Sequence, residues 1–178
     1  MKKSVLVPVA VIAAAAVILF ALAFGLAGVG SANAQANHLE LMRTLLPGSE
    51  NFTLEAYDGD DANIRSVHKA ENGFIIETVT RGYADDIQML VGVSKEGKVT
   101  GLVVQELHET LGLGANALTD WEFLAQFLRS EGDAEVGTNV DAITGATVTS
   151  KAIARCVNSA VAFVTGADTD SGATSWGG

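Results

Sequence analysis

Between Lys3 and Glu40 this 178-residue chain carries no Asp, Glu, Lys or Arg, and from Val5 to Val29 it is almost unbroken Val, Ala, Ile, Leu and Phe. An apolar run of that length can cross a bilayer as one helix, which needs about 20 residues. Pro8, Gly25 and Gly28 fall near its ends, where a membrane helix tolerates them. Lys2 and Lys3 would also suit the basic head of a secretory signal, and Ala32-Asn33-Ala34 fits its cleavage site. The run exceeds the roughly 7–15 apolar residues of such a signal, so an uncleaved anchor is the favoured reading. Either way the two lysines stay cytoplasmic and the rest is exported.

From Ser31 onward the chain holds all 21 acidic residues and only nine basic ones, a net charge of −12. A surface so charged repels nucleic acid and anionic lipid, which excludes both as its partners. The positive mean hydropathy of +0.30 is mostly the anchor's contribution. Cys156 is the single cysteine, which rules out an intrachain disulfide and a thiolate metal cluster. His38, His68 and His108 are scattered without metal-ligand spacing, so metal chemistry is not expected.

After the anchor, Asn37 and Glu40 predict the start of a short helix. Leu39, Met42 and Leu46 share its face, and Pro47-Gly48 ends it. Strands are expected at Ile64–Lys69, weakly, and more firmly at Gly73–Thr80 after Glu71-Asn72-Gly73. A hairpin follows, Ile87–Ser94 turning through Lys95–Lys98 into a strand from Val99. Thr119 and Glu122 have capping-box spacing, with Leu118 and Phe123 at the staple positions. The helix after them should bury Trp121, Leu124 and Leu128, with Phe123 and Phe127 widening the stripe. Ile153, Val157, Ala160, Val161 and Val164 recur at helical spacing in the last helix. The expected fold is α+β, with helices packed on an antiparallel sheet behind an N-terminal transmembrane helix. Its parts are an anchor at 1–30, a linker and short helix at 31–48, a folded domain at 49–165, and a Gly/Ser/Thr-rich, disordered tail at 166–178.

The last helix opens in an unusual way. In "DAITGATVTS", Asp141, Thr144, Thr147 and Thr149 crowd around Gly145-Ala146, although a helix needs only one capping oxygen. A glycine among small polar residues lets backbone N–H groups point outward, and the helix dipole adds positive potential, as at a phosphate site. The lysine and spacing of a nucleotide-hydrolysing phosphate loop are missing. An equally open reading is a richly furnished cap, in which Thr147 or Thr149 caps while Thr144 and Asp141 make turn bonds.

The pattern Asp141-x-x-Thr144-Gly145-Ala146-Thr147-x-Thr149 resembles the flavinylation motif of the FMN-binding domain family. That family includes the G subunit of the Rnf electron-transport complex and the C subunit of the sodium-pumping NADH:quinone reductase. The resemblance implies FMN esterified through its phosphate to the last threonine, here Thr149, by a separate flavin transferase with FAD as donor. Thr144, Gly145, Ala146 and Thr147 would shape the loop, and Asp141 would help the transferase recognise it. A second stretch, "HETLGLG" after the expected strand pair, resembles the pattern of the Rnf G subunit, with Leu111 where proline is usual. It implies that Glu109, Thr110, Gly112, Leu113 and Gly114 lie by the flavin. The tail repeats the motif as Asp168-x-x-Ser171-Gly172-Ala173-Thr174-x-Trp176, with tryptophan at the acceptor position and no helix after it, and is expected to carry no flavin.

Single residues have competing readings. His108 is expected as a hydrogen-bonded loop histidine rather than a flavin ligand, and Trp121 and Phe123 as core rather than flavin-stacking. Lys151 is either a phosphate neighbour or a solvated lysine, and Cys156 a buried small apolar residue. Neither a nucleophile–base pair nor a carboxylate dyad is evident, so no independent catalytic site is expected. The resemblance implies an electron-transfer subunit with covalent FMN in an ion-translocating ferredoxin:NAD oxidoreductase, anchored in the cell membrane with its flavin domain outside. Its partners would be the membrane and iron–sulfur subunits and the flavin transferase, with Na⁺ or H⁺ as coupling ion. A stand-alone flavinylated carrier and a non-redox anchored binding module remain as alternatives.

Overall fold

The computed structural model describes residues 35–107 and 120–167. The expected membrane segment, His108, the Glu109–Gly114 stretch and the tail's echo motif lie outside them. Among the described residues no helix is long and apolar enough to cross a membrane. The chain divides between Glu40 and Leu41, and the sheet and the motif belong to the second unit.

Among the described residues five strands form one antiparallel meander in the order β1 to β5. They are β1 (Thr53–Glu55), β2 (Ile64–Lys69), β3 (Gly73–Arg81), β4 (Asp86–Ser94) and β5 (Val99–Leu107). The β2, β3 and β4 segments follow the alternation and Gly-containing turns in the sequence, to within a residue or two. The three-residue β1 escapes it, because Thr53–Glu55 is too short to show a period; it pairs Leu54 with His68 at the sheet edge. In the centre, Ile76 pairs with Val91 and Ile75 with Gly92. Adjacent residues of a strand point to opposite faces, so this register sets Ile76, Met89 and Val91 on one side of the sheet and Ile75 and Leu90 on the other.

Both sides are covered. Helix α3 (Thr147–Thr165) lies on the first, burying Ile153, Cys156, Val157, Ala160 and Val161 against the strands. Its nineteen residues keep the expected apolar stripe, and it ends at Gly166, whose φ of 69° closes the last turn. The other side receives the end of helix α1, which covers residues 35–45. Met42, Leu45 and Leu46 are buried there, and Thr100 Oγ1 donates to the Leu45 carbonyl at 2.6 Å. The facing glycines make room: a Cβ on Gly101 would stand 2.9 Å from the Leu45 backbone. Asn37 lies within the helix, so it does not cap it.

Helix α2 (Trp121–Ala125) differs from its expected form. Its cap is Asp120, whose carboxylate accepts from Phe123 N at 2.9 Å; Leu118 and Thr119, expected at the staple and capping-box positions, lie outside the described residues. The helix then tightens into turns whose N–H groups bond three residues back, as far as Leu128. That geometry buries Phe123 and Phe127, ring against ring at 5.2 Å, edge to face. It turns Trp121 and Leu128 outward, 78% and 42% exposed. The expected apolar stripe through Trp121, Leu124 and Leu128 is therefore not the buried one. A full-length helix would have been needed to bring those three together.

Candidate functional site

Helix α3 runs along the sheet in a fixed direction. Arg155 Nη2, in its first half, donates to the Arg81 carbonyl at 3.5 Å. Asn63 Nδ2 donates to Ser159 Oγ at 3.1 Å, and Gly97 faces Thr165 at the far end. The helix therefore begins near the β3–β4 turn. The pair Ile87–Leu107 puts the end of β5 at that same end of the sheet. The chain therefore leaves β5 at the end of the sheet where α3 begins.

The loop before α3 makes a tight turn from Ile143 to Ala146, closed by Ala146 N donating to Ile143 O at 2.9 Å. Gly145 holds the third position with φ 78°, a conformation that favours glycine. Ile143 and Ala146 are buried and anchor the turn, while Asp141, Thr144, Gly145 and Thr147 are exposed.

The expected cap is absent. Ala146 occupies the N-cap position, no side chain caps the first N–H groups of the helix, and the first turn contains no acid. Ser150, which sequence reasoning passed over, holds the turn instead. Its buried Oγ donates to Ala146 O at 3.0 Å and accepts from Ile143 N at 3.1 Å. A serine four residues into a helix that bonds back to the preceding turn has a known local preference, but only the turn's shape shows that the bond forms.

Two more side chains hold the loop from outside. Gln126, just past α2, accepts from Asp141 N at 2.7 Å and donates to Asp141 O at 3.4 Å. Asn158 does the same for Ala134, at 3.0 and 2.9 Å. Backbone groups that Asp141 and the threonines might have satisfied are thus bonded by other residues. The two threonines of the helix start diverge: Thr147 is exposed, whereas Thr149, the expected acceptor, is 1% exposed. Lys151 is exposed on the next turn. Arg155, its like-charged neighbour, turns to the Arg81 carbonyl rather than to an acid.

An exposed helix start with no cap, no acid and a glycine at positive φ is suited to an anion such as a phosphate. Among the described residues no group of His, Cys, Asp and Glu is arranged to hold a metal ion. The FMN-binding domain profile matches residues 82–162, which span β4, β5, α2, the motif loop and most of α3. The G subunit of the ion-translocating oxidoreductase complex of Methanosarcina acetivorans is 34% identical over 70% of this chain and 73% of its own length.

The chain belongs to the G-subunit family of these complexes.

Two further members of the family are the G subunits of the Na⁺-translocating ferredoxin:NAD⁺ oxidoreductase complex of Acetobacterium woodii and of the proton-translocating complex of Clostridium ljungdahlii. Each is 38% identical, over 50% and 52% of this chain. The chain spans about half the length of these two relatives, 47% and 53%. The matched part begins at the β3–β4 turn, so β1 to β3 and α1 stand outside it, although β1 to β3 belong to the same sheet.

Proposed function

We propose that this chain is a membrane-anchored electron-transfer subunit of an ion-translocating ferredoxin:NAD oxidoreductase, carrying FMN bound covalently at the 141–149 loop. The observation that carries the reading is the uncapped, acid-free start of α3 with exposed hydroxyls beside Gly145. FMN bound there supplies the one- and two-electron chemistry, and the protein contributes attachment, orientation and field.

The residues have distinct tasks in this reading. The N–H groups of the first turn of α3 would hold the phosphate, with Lys151 one turn on to offset its charge. Gly145 permits the turn that exposes Thr144 and Thr147, and Asp141 keeps an exposed carboxylate for the transferase. Attachment forms a P–O bond from a threonine Oγ1 to the FMN phosphorus of FAD and breaks the pyrophosphate bond. AMP leaves and the hydroxyl proton passes to solvent. The acceptor in this reading is Thr149, the last threonine of the motif; it is 1% exposed, so attachment there requires the first turn of α3 to open, and exposed Thr147 is the alternative hydroxyl.

The Glu109–Gly114 stretch, entered from the end of β5, is placed beside the flavin in this reading. The Val5–Val29 run is the single membrane span, with the N-terminus cytoplasmic. Partners are the membrane and iron–sulfur subunits of the complex and a flavin transferase.

The deciding measurement is the intact mass of the protein co-expressed with a flavin transferase, beside Thr147→Ala and Thr149→Ala. A gain of one FMN less one water, lost in Thr149→Ala and kept in Thr147→Ala, supports the reading with Thr149 as acceptor. The reverse pattern moves the site to Thr147. An unmodified wild type beside active transferase removes the covalent carrier and leaves a non-redox anchored module.

A further inference from the structure

The motif's own oxygens do not hold the motif loop. In an ordinary loop of this composition, the Asp141 carboxylate and a threonine hydroxyl would bond to nearby backbone N–H groups. Here the N–H and C=O of Asp141 are both bonded to Gln126, and the N–H of Ile143 and the C=O of Ala146 to Ser150. Gln126 follows the end of α2, fifteen residues upstream, and is exposed, so core packing does not account for its place. The consequence is that Asp141, Thr144 and Thr147 are all exposed, with backbone partners supplied from elsewhere.

We propose that Gln126 and Ser150 are positioning residues that pre-form the acceptor loop, so that the modifying enzyme meets the motif as a folded surface with its carboxylate and hydroxyls unspent. The proposal rests on the covalent-flavin reading and adds to it how the site is presented. A loop that must order itself at each encounter is competent for only part of the time, and the apparent affinity of the enzyme for it falls by that fraction. Loosening the clamp therefore raises the KM of the transferase for this protein and leaves kcat nearly unchanged. Loss of a catalytic group would do the opposite.

Gln126→Met keeps the side chain's length without its hydrogen bonds. Gln126→Glu keeps the oxygen that accepts from Asp141 N. The full-length protein and both variants are compared by amide hydrogen exchange at Asp141 and by the concentration dependence of FMN incorporation with FAD and transferase. Gln126→Met is expected to speed exchange at Asp141 roughly fivefold, the factor one ordinary hydrogen bond is worth. It should raise KM by up to that factor, according to how far the loosened loop opens, with Gln126→Glu recovering part of both and the melting temperature falling by only a few degrees. Ser150→Ala should speed exchange at Ile143 in the same way.

Unchanged exchange at Asp141 in Gln126→Met overturns the clamp. Faster exchange with unchanged incorporation overturns its role in presentation. A wild type that takes up no FMN beside active transferase overturns the covalent reading and the presentation role with it, and the exchange data then show separately whether the clamp exists.

Discussion

Thr147 and Thr149 stand two residues apart at the start of α3 and face opposite surroundings, the first exposed and the second 1% exposed. Two residues correspond to about 200° around a helix, so one threonine must face the domain if the other faces out. Removing them should therefore differ in stability as well as in flavin attachment. Thr147→Ala is expected to stay within about 0.5 kcal/mol of wild type, as exposed substitutions do. Thr149→Ala should lose roughly 1–2 kcal/mol through its buried methyl and hydroxyl. Urea unfolding of both variants checks this, and equal losses would contradict the burial.

Gly145 has φ 78° at the tip of the turn. An alanine there carries the left-handed penalty of about 1–2 kcal/mol. Gly145→Ala should lower stability by that amount or distort the turn, and with it the rate of FMN incorporation. A variant with wild-type stability and wild-type incorporation would show that the turn does not require glycine.

Gly101 lies under the end of α1, where a new Cβ would come 2.9 Å from the Leu45 Cα and carbonyl oxygen. Backbone cannot rotate away as a flexible side chain does, so Gly101→Ala should cost about 1–3 kcal/mol by overpacking. Thermal unfolding measures it. Wild-type stability in this variant would mean that residues 41–46 are held less closely than the Thr100–Leu45 hydrogen bond implies.

Burial pushes the Cys156 thiol from an ordinary 9.0 up to about 12, against smaller lowering influences from the Thr78 hydroxyl and Arg155. The sign follows from which state keeps the proton. Below pH 9 both states hold it and its contribution is fully present. Between 9 and 12 the unfolded chain releases a proton that the folded one retains, so stability falls as pH rises. The slope is up to about 1.4 kcal/mol per pH unit. Urea midpoints of wild type and Cys156→Ala at pH 8, 9.5 and 11 should diverge in slope, with the wild type falling more steeply; parallel lines would place the thiol in water. In the folded state at pH 8 the thiol should also resist maleimide.

The chain's net charge of −10 bears on the flavin as well. A negative surround disfavours adding electrons to an anionic cofactor, and salt screens that repulsion over about 10 Å at 0.1 M. The potential of the FMN-loaded protein should therefore rise with ionic strength. A potential independent of salt between about 0.01 and 1 M would show that the acidic residues lie too far from the ring to act on it.

Regular elements with enough residues to show a period were legible. β2, β3, β4 and α3 follow alternation or 3.6-residue spacing in segments of six to nineteen residues. The five residues of α2 were not, because Phe123 and Phe127 compete with Trp121, Leu124 and Leu128 for one buried face. Periodicity cannot choose between two apolar stripes on a helix that stops after one turn. The 34% identity to the archaeal relative, over most of both chains, establishes the family that the "DAITGATVTS" pattern resembles.

By itself the sequence determined where a turn and a helix start would form, because a glycine among small polar residues precedes an apolar 3.6-residue repeat. Only the tertiary structure decided which oxygens that turn leaves available. Ser150 turns back on Ile143 and Gln126 reaches Asp141 across fifteen residues. Each hydrogen bond depends on distances that exist only once α2 and α3 are packed together, and no local spacing encodes them.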